Sequence, residues 1–280
     1  MGENYFRYEG RDGTPLAGRQ WWPAGPPRAV IQLAHGAGEH GGRYAEPLAP
    51  LVAAGFAIVA ADHRGHGLTS GIGGLGDFGP GGAAAAVDDM AVLSGRLRAE
   101  HPGVPLILFG HSMGAMFAQA YLLDHADLID ALVLSGTAAP GKRLEGDWNA
   151  GLNDRGTPYD WLSRDHAEVD RYIADPFCGI RFTPESAQTF AELRARPSDA
   201  ESLAGVPKGL PVYVVVGDAD PINARLSRLT PLIKAYEAAG LDVTLKVWPE
   251  GRHEMLNETN RDDVVADLLG WLEARAPLRG

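Results

Sequence analysis

Six short apolar runs constrain this chain more than any other feature: VIQLAH (Val30–His35), FAIVAAD (Phe56–Asp62), PLILFG (Pro105–Gly110), ALVLSG (Ala131–Gly136), PVYVVVG (Pro211–Gly217) and VTLKVW (Val243–Trp248). Each has strand length and nearly continuous apolar character, the pattern of strands buried on both faces of a parallel sheet. Between them lie helix-length stretches near Tyr44–Ala54, Gly82–His101, Ser112–His125, Ala224–Ala239 and Asp262–Arg275. Strands alternating with helices predict an α/β fold. Ahead of the first run, Tyr5–Glu9 and Leu16–Trp22 flank the turn residues GRDGTP, which predicts an antiparallel hairpin at the sheet edge.

One stretch breaks the rhythm. From Ala138 to Val206 no buried-type strand is legible, and Trp148, Tyr159, Trp161, Tyr172, Phe177, Phe182 and Phe190 stand among many charges. It reads as a helical insertion over the strand ends, where open α/β sheets bind ligands. The main core is then 1–137 plus 207–280, with 138–206 inserted, and most of the insertion's aromatics are expected to form a small second core.

Composition narrows the function. A chain of 280 residues, 45% of them hydrophobic, suffices for one main domain. Its 25 basic residues against 36 acidic ones give a formal charge of −11, with no basic cluster to neutralise phosphates, so nucleic acid is excluded as a partner. Cys178 is the sole cysteine, which rules out an internal disulfide and a cysteine-based metal site and suits the cytoplasm. The polar start, MGENYFRYEG, predicts no signal peptide, and Phe6 breaks the myristoylation pattern. No apolar run is long enough to span a membrane.

The chemistry concentrates in LILFGHSMGAM. A serine at the apex of a sharp strand-to-helix turn needs a strained backbone and close neighbours, and Gly110 and Gly114 flank Ser112 as that turn requires. G-x-S-x-G is common by chance among 36 glycines, but here a strand pattern precedes it and a helix pattern follows. A serine nucleophile needs a base and an orienting acid, in the chain order Ser, acid, His on this architecture. His253, in WPEGRHEMLNE after the last strand, is placed to be the base; His125 and His166 read as surface residues. The loop GDADP offers Asp218 and Asp220. Asp220 lies further out with Pro221 behind it, whereas Asp218 fits a turn cap. For the oxyanion, Ala37 in HGAGEHGGRY and Met113 after the serine are placed to donate backbone N–H groups.

Other motifs read more plainly. GIGGLG (Gly71–Gly76) matches a dinucleotide pattern but joins no strand to a helix, so it reads as a flexible loop. His63 and His66 in DHRGHG lack a completing carboxylate spacing and read as orienting nearby loops rather than holding metal.

Taken together, HGAGEHGGRY, DHRGHG, GHSMG, GDADP and GRHEMLNE, in that order, resemble the monoacylglycerol lipase and lysophospholipase branch of the α/β-hydrolase family, over Ala34 to Glu258. YDWLSRD and DPFCGIRFT resemble the cap of bacterial members. The resemblance implies a mostly parallel eight-stranded sheet with an N-terminal antiparallel hairpin, helices on both faces and a helical cap. It implies Ser112 as nucleophile, Asp220 and His253 as its partners, Ala37 and Met113 as oxyanion donors, and no cofactor or metal. It further implies that Glu39 and Arg43 hold a glycerol head group, although Leu256 stands where the animal lipases carry a further histidine. The expected substrate is a fatty acyl ester, met by a cytoplasmic enzyme whose cap touches membranes or micelles transiently. The alternatives are a short-chain carboxylesterase or other serine hydrolase, and a binding protein that has lost turnover.

Overall fold

The computed structural model describes residues 2–141, 146–152 and 154–275. Its strands are β1 (Asn4–Glu9), β2 (Pro15–Trp21), β3 (Val30–Ala34), β4 (Ala57–Ala61), β5 (Leu106–His111), β6 (Ala131–Ser135), β7 (Pro211–Gly217) and β8 (Asp242–Trp248). Its helices are α1 (Ala49–Ala53), α2 (Gly67–Ser70), α3 (Gly82–Glu100), α4 (Met113–His125), α5 (His166–Ala174), α6 (Pro184–Arg194), α7 (Thr230–Ala238) and α8 (Arg261–Arg275). The strands form one eight-stranded sheet in the order β1-β2-β4-β3-β5-β6-β7-β8. β1 and β2 make the antiparallel hairpin and β2 runs antiparallel to β4; every other pairing is parallel.

Alternation along the inner strands divides their side chains between two cores. On β7, Val212, Val214 and Val216 join Met90, Leu93, Phe117 and Tyr121 of α3 and α4, while Tyr213 and Val215 join Leu51 of α1 and Val264, Leu268 and Trp271 of α8. This is why the runs read as continuously apolar: each face of the sheet is covered by helices. β8 departs from that expectation. As the outermost strand it is only half-buried, with Leu245 exposed and Lys246 paired to Asp267 of α8.

Two expected helices are shorter. Tyr44–Ala54 resolves into a 3-10 turn at Gly41–Tyr44 and the five-residue α1. Pro47 has no N–H to continue the ladder, and Pro50 is tolerated because it lies in the first turn of α1. The Ala224–Ala239 stretch becomes helical only at Thr230. Ala224, Arg225 and Leu226 adopt positive φ, and the Asn223 side chain accepts from the Leu226 N–H at 2.8 Å, a local bond that competes with helix.

The chain leaves β3 for β4 on one side and returns to β5 on the other, so the C-terminal ends of β3 and β5 flank a topological switch point, where such sheets hold ligands. Above it passes the excursion between β6 and β7. Its described residues contain a 3-10 turn (Asp160–Leu162), α5 and α6, and no strand. Residues 142–145 and 153 of the 138–206 stretch lie outside the described ones. Its aromatics do not make one separate core: Phe182 and Phe190 pack with Phe78 and Phe117 of the main core, while Tyr159 packs at a tilt on Tyr172 and Trp148 edge-on to Trp161. Among the described residues no helix is long and apolar enough to cross a membrane.

Candidate active site

Ser112 sits between β5 and α4 with φ 52° and ψ −113°, a conformation L-residues avoid unless the surroundings impose it. The flanking glycines are what allow it. A methyl on Gly114 would run into the Ala34 carbonyl, and one on Gly110 would lie 2.5 Å from the Gly114 oxygen and 2.8 Å from Ala115 Cα. The turn thus brings the N-terminus of α4 directly against the end of β3. From Leu106 to Leu122 every residue is buried except Ser112, so the fold presents this side chain alone.

His253 follows β8 and lies buried beside the turn. Its Nδ1 donates to Asp220 Oδ2 at 3.0 Å, and both side chains are almost wholly excluded from solvent. Nδ1 therefore carries the proton, and Nε2, which has no hydrogen-bond partner among the described residues, is the basic nitrogen. His111, one residue before Ser112, packs its ring 4.9 Å from that of His253, and Trp161, from the segment between β6 and β7, packs against the His253 ring at 4.9 Å. Burial lowers the proton affinity of His253, but the charge and hydrogen bond of Asp220, with smaller contributions from Glu254 and Glu39, outweigh it and leave the imidazole above its ordinary range. Burial holds His111 down at about 4, with the neighbouring His253 adding to the effect, so it remains a neutral packing partner. Asp218 turns away: its Oδ1 accepts from the Glu250 N–H at 2.7 Å, the turn cap expected of it.

The loop after β3 approaches Ser112 from the other side. A methyl on Gly36 would stand 3.2 Å from Ser112 Cβ, and Ala37 is the one exposed residue between Val30 and Gly41. The peptide carrying the Ala37 N–H is held firmly. His35 Nε2 accepts from the His63 N–H at 3.0 Å, so its Nδ1 bears the proton and donates to the Gly36 carbonyl at 2.8 Å. In a trans peptide the N–H points opposite the carbonyl, so His35 aims the Ala37 N–H away from itself. His66 Nε2 accepts from the Gly38 N–H at 3.3 Å and its Nδ1 donates to the Arg64 carbonyl at 2.8 Å. Burial keeps both rings neutral, His66 at about 3, which these acceptor roles require. Of the DHRGHG pair, His66 through its ring and His63 through its backbone N–H thus orient the loop.

Glu39 and Arg43 are brought together in the same loop, within a buried ion network. Glu39 accepts from the Gly36 N–H at 2.5 Å, from Tyr44 Oη at 2.7 Å and from Arg43 at 2.7 Å. Arg43 makes a two-pronged contact with Glu254, 2.7 Å on each arm, and lies over the Tyr172 ring. Burial opposes ionisation of Glu39, yet Arg43 holds it down at about 2. Glu254 escaped the sequence reading. The signal was a charged residue next to the catalytic-type histidine, but its partner is 211 positions away.

Among the described residues one group could converge on a metal: His40, Asp175 and Cys178, with ligand atoms within 4.8 Å of one another. His40 Nδ1 accepts from the Gly42 N–H and its Nε2 donates to Asp175, so neither nitrogen offers a free lone pair. GIGGLG forms a 3-10 turn at Ile72–Gly74 rather than a strand-to-helix loop.

Sheet order, strained serine turn and buried His–Asp pair define an α/β-hydrolase. The chain belongs to the family described as serine aminopeptidase, S33, whose profile matches residues 25–260. It is 32% identical over 286 residues to the monoacylglycerol lipase of Mycolicibacterium smegmatis, covering 95% of each chain. It is 33% identical over 298 residues to mouse monoglyceride lipase, covering 96% of this chain and 90% of that one. The carboxyl esterase of Bacillus coagulans in complex with glycerol superposes with a TM-score of 0.87 at 27% identity, over 98% of this chain and 99% of that one. The chain is thus a hydrolase of the monoacylglycerol-lipase-like type.

Proposed function

We propose that this ester-hydrolysing enzyme cleaves monoacylglycerols, with lysophospholipids as the next candidates, through an acyl-enzyme on Ser112. The observation that carries the chemistry is the lone accessibility of Ser112, held at positive φ beside a buried His253–Asp220 pair. In this reading His253 Nε2 takes the Ser112 proton and the alkoxide attacks the ester carbonyl. The Ala37 and Met113 N–H groups receive the oxyanion, the latter from the N-terminus of α4. His253 then returns the proton to the departing alcohol, and a water activated by the same nitrogen releases the fatty acid. No step calls for a metal or an organic cofactor.

The substrate rests on the full-length similarity to monoacylglycerol lipases. The cap is read as 138–206, with the core as 1–137 and 207–280, and Trp161 over His253 fits a cap that walls the leaving-group side. Glu39 and Arg43, with their polar atoms already committed to one another and to Glu254, serve the head group by holding the loop beneath it. One unpaired cysteine suits a cytoplasmic enzyme, and contact with a membrane would then be transient and made through the cap. A short-chain carboxylesterase is the second reading, favoured by the likeness to the Bacillus coagulans esterase. Hydrolysis of monoacylglycerols, lysophosphatidylcholine and p-nitrophenyl esters across acyl lengths, with Ser112→Ala as control, separates the two. A maximum on medium or long monoacylglycerols supports the lipase; activity confined to short p-nitrophenyl esters supports the esterase.

A further inference from the structure

The network around Arg43 joins two parts of the site that the chain places far apart. Glu254 directly follows His253, is buried, and accepts both arms of Arg43 at 2.7 Å and the Asn257 side chain at 2.8 Å, while its own N–H donates to the Leu162 carbonyl at 2.8 Å. Arg43 reaches on to Glu39 at 2.7 Å, and Glu39 accepts the Gly36 N–H at 2.5 Å, one peptide before Ala37. We propose that Glu254 is a positioning residue: through Arg43 and Glu39 it ties the loop carrying the catalytic base to the loop carrying the oxyanion donor, fixing the two against each other. This rests on the triad reading above. The two-pronged geometry suits the role, because a planar guanidinium gripped on both arms transmits orientation as well as charge.

The network also bears on the base electrically. The groups facing His253 are Asp220 from the β7 loop, His111 from the end of β5, Glu39 from the β3 loop and Glu254 beside it, with Arg43 between the two glutamates; Trp161 from the cap is uncharged. Two carboxylates around one guanidinium leave one negative charge, which favours the imidazolium. Glu254→Gln keeps the shape and an acceptor for Arg43 but brings that sum to zero.

The test uses Glu254→Gln, Arg43→Met and their double variant on a p-nitrophenyl ester. Glu254→Gln should lower kcat about tenfold with KM nearly unchanged, short of the roughly 10²–10³-fold loss that follows removal of an oxyanion donor itself. Its acid limb should move to lower pH, a shift that a merely structural residue would not cause. Because both residues act through one chain of contacts, the double variant should be no slower than Arg43→Met alone. Wild-type kcat and acid limb in Glu254→Gln, or losses that multiply in the double variant, overturn the proposal. If Glu254→Gln does not fold, the pair Arg43→Met with Glu254→Met replaces the ions by apolar chains of similar length; a lowered kcat at constant KM supports the link and wild-type kcat refutes it. A wild-type protein that neither turns over nor is labelled at Ser112 by a fluorophosphonate refutes the triad reading itself, whereas a labelled, active wild type with an indifferent Glu254→Gln refutes only the role of Glu254.

Discussion

His253 Nδ1 and Asp220 Oδ2 stand 3.0 Å apart in a pair from which solvent is almost wholly excluded. The bond fixes the tautomer that leaves Nε2 basic, and in the proposed mechanism the Asp220 charge would stabilise the imidazolium formed when Ser112 gives up its proton.

Asp220→Asn would keep the side-chain volume while losing both effects. Turnover should fall by about 10⁴-fold, as it does for the corresponding change in serine proteases. Asp218→Asn, which alters only the cap on the Glu250 N–H, should leave turnover within about threefold of wild type. Steady-state kinetics of the two variants checks the contrast; the reverse order would move the acid to Asp218.

With His253 as the proposed base, its elevated proton affinity would set the pH profile. The base must be neutral to act, so kcat/KM should be low at acid pH, rise about tenfold per pH unit, and level off above the ordinary imidazole value of about 6.5. Linked stability runs the other way: a raised folded-state affinity stabilises fully below the unfolded value and is lost as pH rises through the folded one. Activity should therefore peak on the side where this contribution has faded. A kcat/KM profile that levels off below pH 6 would contradict the Asp220 effect.

Gly114→Ala should disturb folding before catalysis. The added methyl meets the Ala34 carbonyl, a backbone atom that cannot swing aside, so a loss of about 3 kcal/mol is expected, at the upper end for overpacking. Urea denaturation measures it, and a midpoint equal to wild type would show that β3 and α4 are not in close contact.

Arg64 presents a second buried ion site. It donates to Asp89 at 2.6 and 2.9 Å and to Asp12 at 2.8 and 2.9 Å, with Asp89 buried and Asp12 exposed. Arg64→Met would strand the Asp89 charge and should cost about 3–5 kcal/mol in the same assay. Asp12→Ala should cost far less, since water replaces an exposed carboxylate.

The parts legible in the sequence were those that local pattern dictates. β3 to β7 announce themselves because burial on both faces demands unbroken apolar runs; Ser112 and Asp220 stand out because each follows such a run, and His253 because it follows the last strand-length segment. β8 was overrated as a buried strand: Thr244 and Lys246 within it already mark an edge. The start of α7 was hidden because three consecutive left-handed residues, Ala224 to Leu226, follow from the Asn223 side-chain bond and not from composition. Glu254 was hidden for another reason. A buried charge is recognised by its partner, and Arg43 enters the same pocket only once β3 and β8 have taken their places in the sheet.

The most direct measurement is mass-spectrometric mapping of the adduct formed by a fluorophosphonate ester at neutral pH. A single modification is expected, on Ser112, formed far more slowly in Asp220→Asn and absent in Ser112→Ala. No adduct on an otherwise folded protein, or an adduct on another serine at the wild-type rate in Ser112→Ala, would contradict it.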